Sequence, residues 1–292
     1  MAKHIVRFLA VACVCVGGAS AAFALEPFDN WDNPPGVYGA VYPLHVNGQE
    51  LTDKDGNAAI PNIDMHVTET VLRALYYNTH HWIGTAVLPV GRMDFLNQHQ
   101  EGLGDPTFAG GYFLIDNKEK NLYFGPGLKV DAPWGKYDKS SFANMGNNYW
   151  RYRPMLCFAK FAVPVDFEAS VLYDIKEVNK EKLIPTHMGP MDVKYDPGDL
   201  IEFETYTGMF LSKQWLIGAH VNYMSGKDDK YDIGGGFNPA PGSGVRDWQL
   251  GGSVTFLESP NFHTVLEVMQ DVHARNTVPA TLIMAKIAFK LY

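Results

Sequence analysis

The last twelve residues, Thr281-Leu-Ile-Met-Ala-Lys-Ile-Ala-Phe-Lys-Leu-Tyr292, alternate apolar with polar or small and stop on an aromatic. Successive side chains of a strand point to opposite faces. Ile283, Ala285, Ile287, Phe289 and Leu291 therefore share one face, and Met284, Lys286, Ala288 and Lys290 the other. A chain that ends in mid-strand leaves backbone groups unpaired and is an aggregation hazard in water. The same strand is at home where it closes a barrel inside an outer membrane. One detail departs from the usual pattern of such barrels: Tyr292 falls in phase with the lysines, not with the apolar face.

The other end of the chain points the same way. Lys3 and Arg7 precede a short apolar run, Phe8 to Gly18, and Ala22-Phe23-Ala24 is a small-x-small cleavage signal. The run is shorter than the roughly 20 residues a membrane-spanning helix needs. Residues 1–24 are expected to be a secretory signal peptide and residues 25–292 an outer-membrane β-barrel domain. Cys13 and Cys15 leave with the leader, so Cys157 alone remains and no intramolecular disulfide can form. Loss of Lys3 and Arg7 from 24 basic residues, against 32 acidic ones, takes the formal charge from -8 to -10. An acidic, exported chain excludes nucleic acid as a partner class.

Aromatics at 13%, 28 glycines and only 19% charged residues fit a strand-and-turn protein. No apolar run after Ala24 reaches transmembrane-helix length. The spanning structure that remains is a closed barrel, in which every backbone group is paired. About twelve alternating segments can be read, the strand signature of an antiparallel up-and-down barrel. Asn148–Phe161 sets Trp150, Tyr152, Leu156 and Phe158 against Arg151, Arg153, Met155 and Cys157. Gln214–Met224, Ile201–Leu211, Asp166–Lys176, Asp247–Phe256 and Phe262–Val272 repeat the arrangement. In Ile63–Tyr77 the phase slips near Thr68-Glu69, which reads as a bulge. Short turns alternate with long Gly-, Asp- and Asn-rich connections at Asn47–Asn62, Arg92–Gly104, Ala132–Asn147, Glu177–Pro197 and Ser225–Val245. That asymmetry separates periplasmic turns from extracellular loops and implies a Gram-negative outer membrane, with membrane lipid and the outer-membrane assembly machinery as partners. Tyr38, Trp82, Trp150, Trp215 and Trp248 lie near strand ends, as an interfacial girdle would.

Four segments carry a resemblance to a known family. Asn33-Pro-Pro-Gly-Val-Tyr38, Gly102-Leu-Gly-Asp-Pro106, Ala132-Pro-Trp-Gly-Lys-Tyr-Asp138 and Asn147-Asn-Tyr-Trp150 occur in the order and spacing of the MetA-pathway of phenol degradation family. The chain resembles that family over most of its mature length. Trp134 departs from it, standing where a small residue usually precedes the glycine. The resemblance implies an outer-membrane barrel of transporter type. Its implied function is porin-like, passive passage of small hydrophobic or aromatic compounds, with a small apolar or aromatic ligand. Two other readings stay open. One is a structural or adhesive barrel with an occluded lumen and working extracellular loops; the other is an outer-membrane hydrolase.

Barrels of about eight strands are filled by their own side chains, and those of 16 to 18 hold an aqueous channel. About twelve strands predict a narrow or gated lumen. The period-two pattern directs Arg151, Arg153, Glu168, Glu202, Glu204, His220, Asp247, Glu267 and Lys286 inward, as candidates for the lumen and its constriction. Such charges either pair and rigidify the barrel or select by charge. Arg151 and Arg153, two same-side arginines, are the pair best suited to an anionic group. No HExxH, CxxC or His-x-His spacing occurs, so no catalytic residue, metal site or cofactor is expected. Ser253 and His263 lie on neighbouring segments but both in the lumen phase, out of reach of acyl chains in the bilayer. Asp105 is expected to cap the turn that Pro106 shapes.

Overall fold

The computed structural model describes residues 33–186, 189–259 and 261–292; the expected leader, residues 1–24, lies outside them. The described residues form strands β1 (Gly36–Thr52), β2 (Ala58–Tyr77), β3 (Trp82–Phe95), β4 (Gln98–Leu103), β5 (Thr107–Tyr112) and β6 (Ile115–Asn117). These continue as β7 (Leu122–Asp131), β8 (Arg151–Ala162), β9 (Val165–Lys176), β10 (Asn179–Thr186), β11 (Gly189–Asp196) and β12 (Leu200–Phe210). The last six are β13 (Trp215–Gly226), β14 (Lys230–Asp232), β15 (Phe237–Pro239), β16 (Arg246–Ser259), β17 (Phe262–Arg275) and β18 (Ala280–Lys290). No helix among the described residues is long and apolar enough to cross a membrane.

Twelve of these strands close on themselves in the order β1, β2, β3, β5, β7, β8, β9, β12, β13, β16, β17, β18. Every neighbouring pair is antiparallel, and the seam runs from Tyr38 opposite Lys290 to Gly48 opposite Ala280. Closure leaves no edge, which is what hydrocarbon demands of a β-structure. The twelve-residue strands β8, β9 and β13 match the roughly 9–11 residues that a tilted strand needs to span. Both described termini and the short turns lie at one end, the periplasmic end by the usual asymmetry.

Period two sorts the side chains as expected on β8, β9, β12, β13, β16, β17 and β18. Leu250 is 45% exposed and Leu266 66% exposed on the outer wall, with Ile283 and Ile287 beside them. Two belts of aromatics border this surface. Trp82–Tyr112 and Trp215–Phe256 form one near the turns, and Trp134–Trp150, Trp150–Tyr152 and Tyr223–Trp248 the other. Tyr38 is not part of a belt. It shares the inward parity of the buried Ala40, Tyr42, Leu44 and Val46 and packs edge-on against Tyr77 at 5.5 Å.

Three expected loops are strand instead. Asn47–Asn62 belongs mostly to the long hairpin β1–β2, of 17 and 20 residues, turning at Asp53–Asn57. Arg92–Gly104 folds as the hairpin β3–β4. Glu177–Pro197 folds as β10–β11, which with β14 and β15 makes a separate four-stranded sheet. The bulge in β2 also lies elsewhere. Pairing with β1 is continuous from Tyr77 to Met65 and shifts between Met65 and Pro61, where Asn62 and Asp64 take positive φ. The apparent slip at Thr68-Glu69 arises because β2 is apolar on both faces: Val67 and Val71 point inward and Leu72 outward.

This sorting predicts that Leu250→Arg, near mid-bilayer on the lipid face, lowers folding stability by about 2–4 kcal/mol. The same change at Glu258, at the rim, is nearly neutral. Urea titrations of folding into lipid vesicles measure both.

Candidate functional site: the barrel lumen

The inner wall has two unlike sides. On β7, β8, β9, β12, β13 and β16 it is polar and charged. All nine expected lumen residues are buried, Arg151, Arg153, Glu168, Glu202, Glu204, His220, Asp247 and Glu267 among them on this side and β17, and Lys286 on β18. Arg151 and Arg153 do not present a free cationic pair. Arg151 Nε donates to Asp174 at 2.7 Å, and a second guanidinium nitrogen also contacts Asp174. Arg153 Nη2 holds both oxygens of Asp131 at 2.6 and 2.8 Å, and Thr107 Oγ1 donates to the same carboxylate at 2.6 Å. Arg151 also approaches Asp131 at 3.7 Å, so two arginines and two aspartates make one network at the extracellular end. Two-point contacts of this kind suit the planar guanidinium and hold the strands in register. Glu202 and Glu204 continue the face below it, opposite Met224 and Asn222 of β13.

Lower down, His220 Nε2 lies 2.9 Å from Ser253 Oγ and 3.6 Å from Glu267, with the Tyr206 ring 4.9 Å from its own. Glu168 stands opposite Tyr206 across β9 and β12. A serine, a histidine and a carboxylate meet here, but both partners approach the same imidazole nitrogen. A relay needs the carboxylate on the other nitrogen, where it orients the ring for proton transfer. Ser253 and His263 do lie on neighbouring strands, but not across from each other: Ser253 lies opposite Glu267, and His263 lies opposite Leu257.

The opposite side, β1, β2, β3, β17 and β18, is largely apolar, broken by Glu69 and Arg73 on β2, Glu267 on β17 and Lys286 on β18. Tyr42, Leu44, Val46, Val67, Val71, Met269, Leu282 and Met284 are buried in one cluster with Met93 and Phe95. Membrane barrels usually alternate apolar-out with polar-in, so an apolar inner wall needs cover. The segment joining β7 to β8, residues 132–150, supplies it by folding inward. Ala143 and Met145 are buried in the cluster and Phe142 packs against it. Two β4 side chains hold this tip: Gln98 Oε1 accepts from Phe142 N at 2.6 Å, and Gln100 Oε1 from Met145 N at 2.8 Å.

Asp105 anchors both ends of that segment. Gly135 N donates to its Oδ1 at 2.9 Å, and Asn147 N and Nδ2 donate to its Oδ2 at 2.7 and 3.1 Å. A Cβ on Gly135 would sit 2.8 Å from that Oδ1 and one on Gly146 2.9 Å, so both positions need glycine. Three of the four segments quoted for the family resemblance thus meet at one carboxylate. The Asp105 turn-cap reading was local, whereas the residue ties together parts of the chain 30 and 42 residues away.

At the periplasmic end the apolar wall opens into a cavity of about 440 Å³ lined by Tyr38, Tyr42, Tyr77, Arg73 and Lys286 among others. Arg73, which the misplaced slip hid, points inward from β2. Strict period two counted back from Tyr77 would have found it. Asp131 and Asp174, the partners of the arginines, were legible as inward-phase acids, but their pairing joins residues 22 and 23 apart in the chain, on neighbouring strands. No group of three or more His, Cys, Asp or Glu that could hold a metal occurs among the described residues.

Above the barrel, Asp229 joins two extracellular connections. Gly198 N donates to its Oδ1 at 2.8 Å and Tyr195 Oη to its Oδ2 at 3.2 Å. Burial pushes this carboxyl up to about 6, although the Gly198 hydrogen bond pulls it down. A folded-state value above the unfolded one means that protonation favours the folded loops. Their stability is full below the ordinary 3.8 and falls as pH rises to about 6. Hydrogen-exchange protection at Gly198, corrected for intrinsic rates, is expected to be higher at pH 5 than at pH 7.5. Asp229→Asn removes that difference. In the lumen, Asp174→Ala strands a buried guanidinium and costs about 3–5 kcal/mol in a denaturation series, whereas the joint change Arg151→Met with Asp174→Leu costs far less.

The comparisons with known proteins agree with this geometry. The outer-membrane channel of the COG4313 group from Pseudomonas putida F1 superposes with a TM-score of 0.79 at 14% identity, over 91% of this chain and 100% of that one. The NanC porin gives 0.53 at 12% identity over 87% and 100%. The toluene transporter TbuX from Ralstonia pickettii gives 0.52 at 9% identity over 95% and 97%. No curated protein matches the chain. The fold is that of outer-membrane barrels, and the protein is an outer-membrane β-barrel in contact with membrane lipid. Residues 48–287 match the family model described as "Putative MetA-pathway of phenol degradation", and the chain belongs to that family.

Proposed function

We propose that this barrel is a channel for passive passage of small hydrophobic or aromatic compounds across the outer membrane. The observation that carries the reading is the apolar cluster that lines one side of the lumen, a strip with Glu69 and Lys286 set into it. It runs from Phe95, Val278 and the inward-folded Phe142–Met145 tip at the extracellular end to Ala40, Tyr42 and Ala288 at the periplasmic cavity. Water gains nothing from such a surface, whereas an apolar solute sheds about 25 cal/mol per Å² of its own area against it. The family membership and the similarity to a barrel described as a toluene transporter support the same solute class.

The two sides of the lumen then have different duties. Arg151, Arg153, Glu168, Glu202, Glu204, His220, Asp247 and Glu267 brace the cross-section, and the apolar side carries the passenger. The tip at Phe142–Met145 acts as a movable stopper at the head of the strip. Flow follows the concentration gradient, and no residue here suggests an energy source. Insertion belongs to the outer-membrane assembly machinery acting on β18. The four-stranded extracellular sheet, with its own small core of Ile184, Val193, Tyr195 and Tyr231, is the feature that favours the alternative of an adhesive barrel with a closed lumen.

Proteoliposomes with a lipopolysaccharide outer leaflet separate the two readings. Toluene entry is expected to exceed that of empty vesicles, to fall severalfold with Met284→Glu in the strip, and to rise when residues 140–145 are replaced by a Gly-Ser linker. If the linker variant folds yet neither conducts ions nor admits toluene, the channel reading is wrong and the adhesive one stands.

A further inference from the structure

The periplasmic cavity differs in chemistry from the strip above it. Its wall carries three tyrosines, and two cations reach over the deepest of them. Arg73 on β2 and Lys286 on β18 flank Tyr42 on the intervening β1: Arg73 stands opposite Ala40, and Lys286 lies on the strand paired along the other side. Arg73 Nη1 donates to Tyr42 Oη at 3.2 Å, and Lys286 Nζ lies 5.7 Å from the Tyr42 ring centre. Nearer the mouth, Tyr38 and Tyr77 meet edge to face, and Lys290 Nζ lies 5.7 Å from the Tyr38 ring. Lys213 also lines the cavity, so among the described residues its lining holds three cationic side chains and one carboxylate, Glu258.

A cation on each side of one tyrosine makes a landing place for a planar anion, and the neighbouring rings make one for an arene. Arginine binds carboxylates in two-point fashion, and aromatic pairs gain from edge-on or offset contact at 4.5–7 Å. A cavity of about 440 Å³ accommodates a single-ring acid with water beside it. We infer that the Tyr38–Tyr42–Tyr77 cavity is a binding site for small aromatic carboxylates, held by Arg73 and Lys286 through the carboxylate and by the tyrosines through the ring. The solute class is thereby narrowed at the exit: neutral arenes glide along the strip, and ring acids dwell at its end. The inference rests on the channel reading for how the ligand arrives, and not for whether it binds.

The test compares benzoate with benzamide, its neutral isostere, by calorimetry on the purified, folded mature protein. Benzoate is expected to bind saturably and about tenfold or more tighter, since a charge-assisted contact contributes about 1.5–3 kcal/mol. Arg73→Gln with Lys286→Gln is expected to bring benzoate down to the benzamide level, while Arg73→Lys keeps most of the preference. Heat-modifiable mobility on a gel certifies that each variant retains the barrel. Equal affinity for the two ligands, no saturable benzoate binding, or a benzoate preference that survives the folded double variant overturns the inference. Toluene entry measured on the same preparations keeps the readings apart. Entry without benzoate preference sinks this inference alone, and benzoate preference without entry sinks the channel alone.

Discussion

Inside hydrocarbon a peptide group has no water to bond, so each spanning strand must find a neighbour on both sides. Everything else in this molecule follows from how that demand is met. Twelve strands return to the first, and β18 pairs along β1 from Lys290 to Ala280. The circumference is then fixed, and a lumen of intermediate width comes with it. Such a lumen is too wide to be filled by one layer of side chains and too narrow to be left as open water. The chain resolves it by giving the two halves of the wall different chemistry.

On the charged half, burial forces partnership. A guanidinium in a low-dielectric interior is costly unless a carboxylate faces it, and Arg151 and Arg153 are paired with Asp174 and Asp131. Each pair crosses between neighbouring strands, so the same contacts that neutralise charge also lock the strands' register. On the apolar half, Leu44, Val46, Val67 and Met284 are buried in one cluster that the inward-folded segment joins through Ala143 and Met145. Paired charges make a rigid wall, whereas apolar contacts without fixed direction make a surface along which something else can slide.

The architecture was legible because lipid and lumen impose opposite tastes on alternate residues. Where the two faces differ, as on β12 with Phe203 outward and Glu202 and Glu204 inward, a single strand declares its orientation. The reading failed where both faces are apolar. On β2, Val67 and Val71 inside stand back to back with Leu72 outside, the alternation vanished, and the inward Arg73 was missed with it. Tyr38 was misplaced for a related reason, since an aromatic near a strand end suits either an interface or a cavity. Hairpins such as β3–β4 and β10–β11 carry the composition of loops, because polar residues in water can pair as well as wander. The lumen charges were visible singly but not as pairs. Nothing in the local pattern of Asp131 or Asp174 says which arginine lies across the gap.

The anchoring of the inward-folded segment has a consequence for how relatives of this protein can diverge. Its two roots converge on Asp105, through Gly135 and Asn147, while the tip at Phe142–Met145 touches the wall through side chains and two glutamines. The roots tolerate almost no change, because glycines and a buried carboxylate leave no room there. The tip has far more latitude. Root and tip are therefore held by separate contacts, so the surface that the tip shows to the lumen can be changed without disturbing a strand of the barrel.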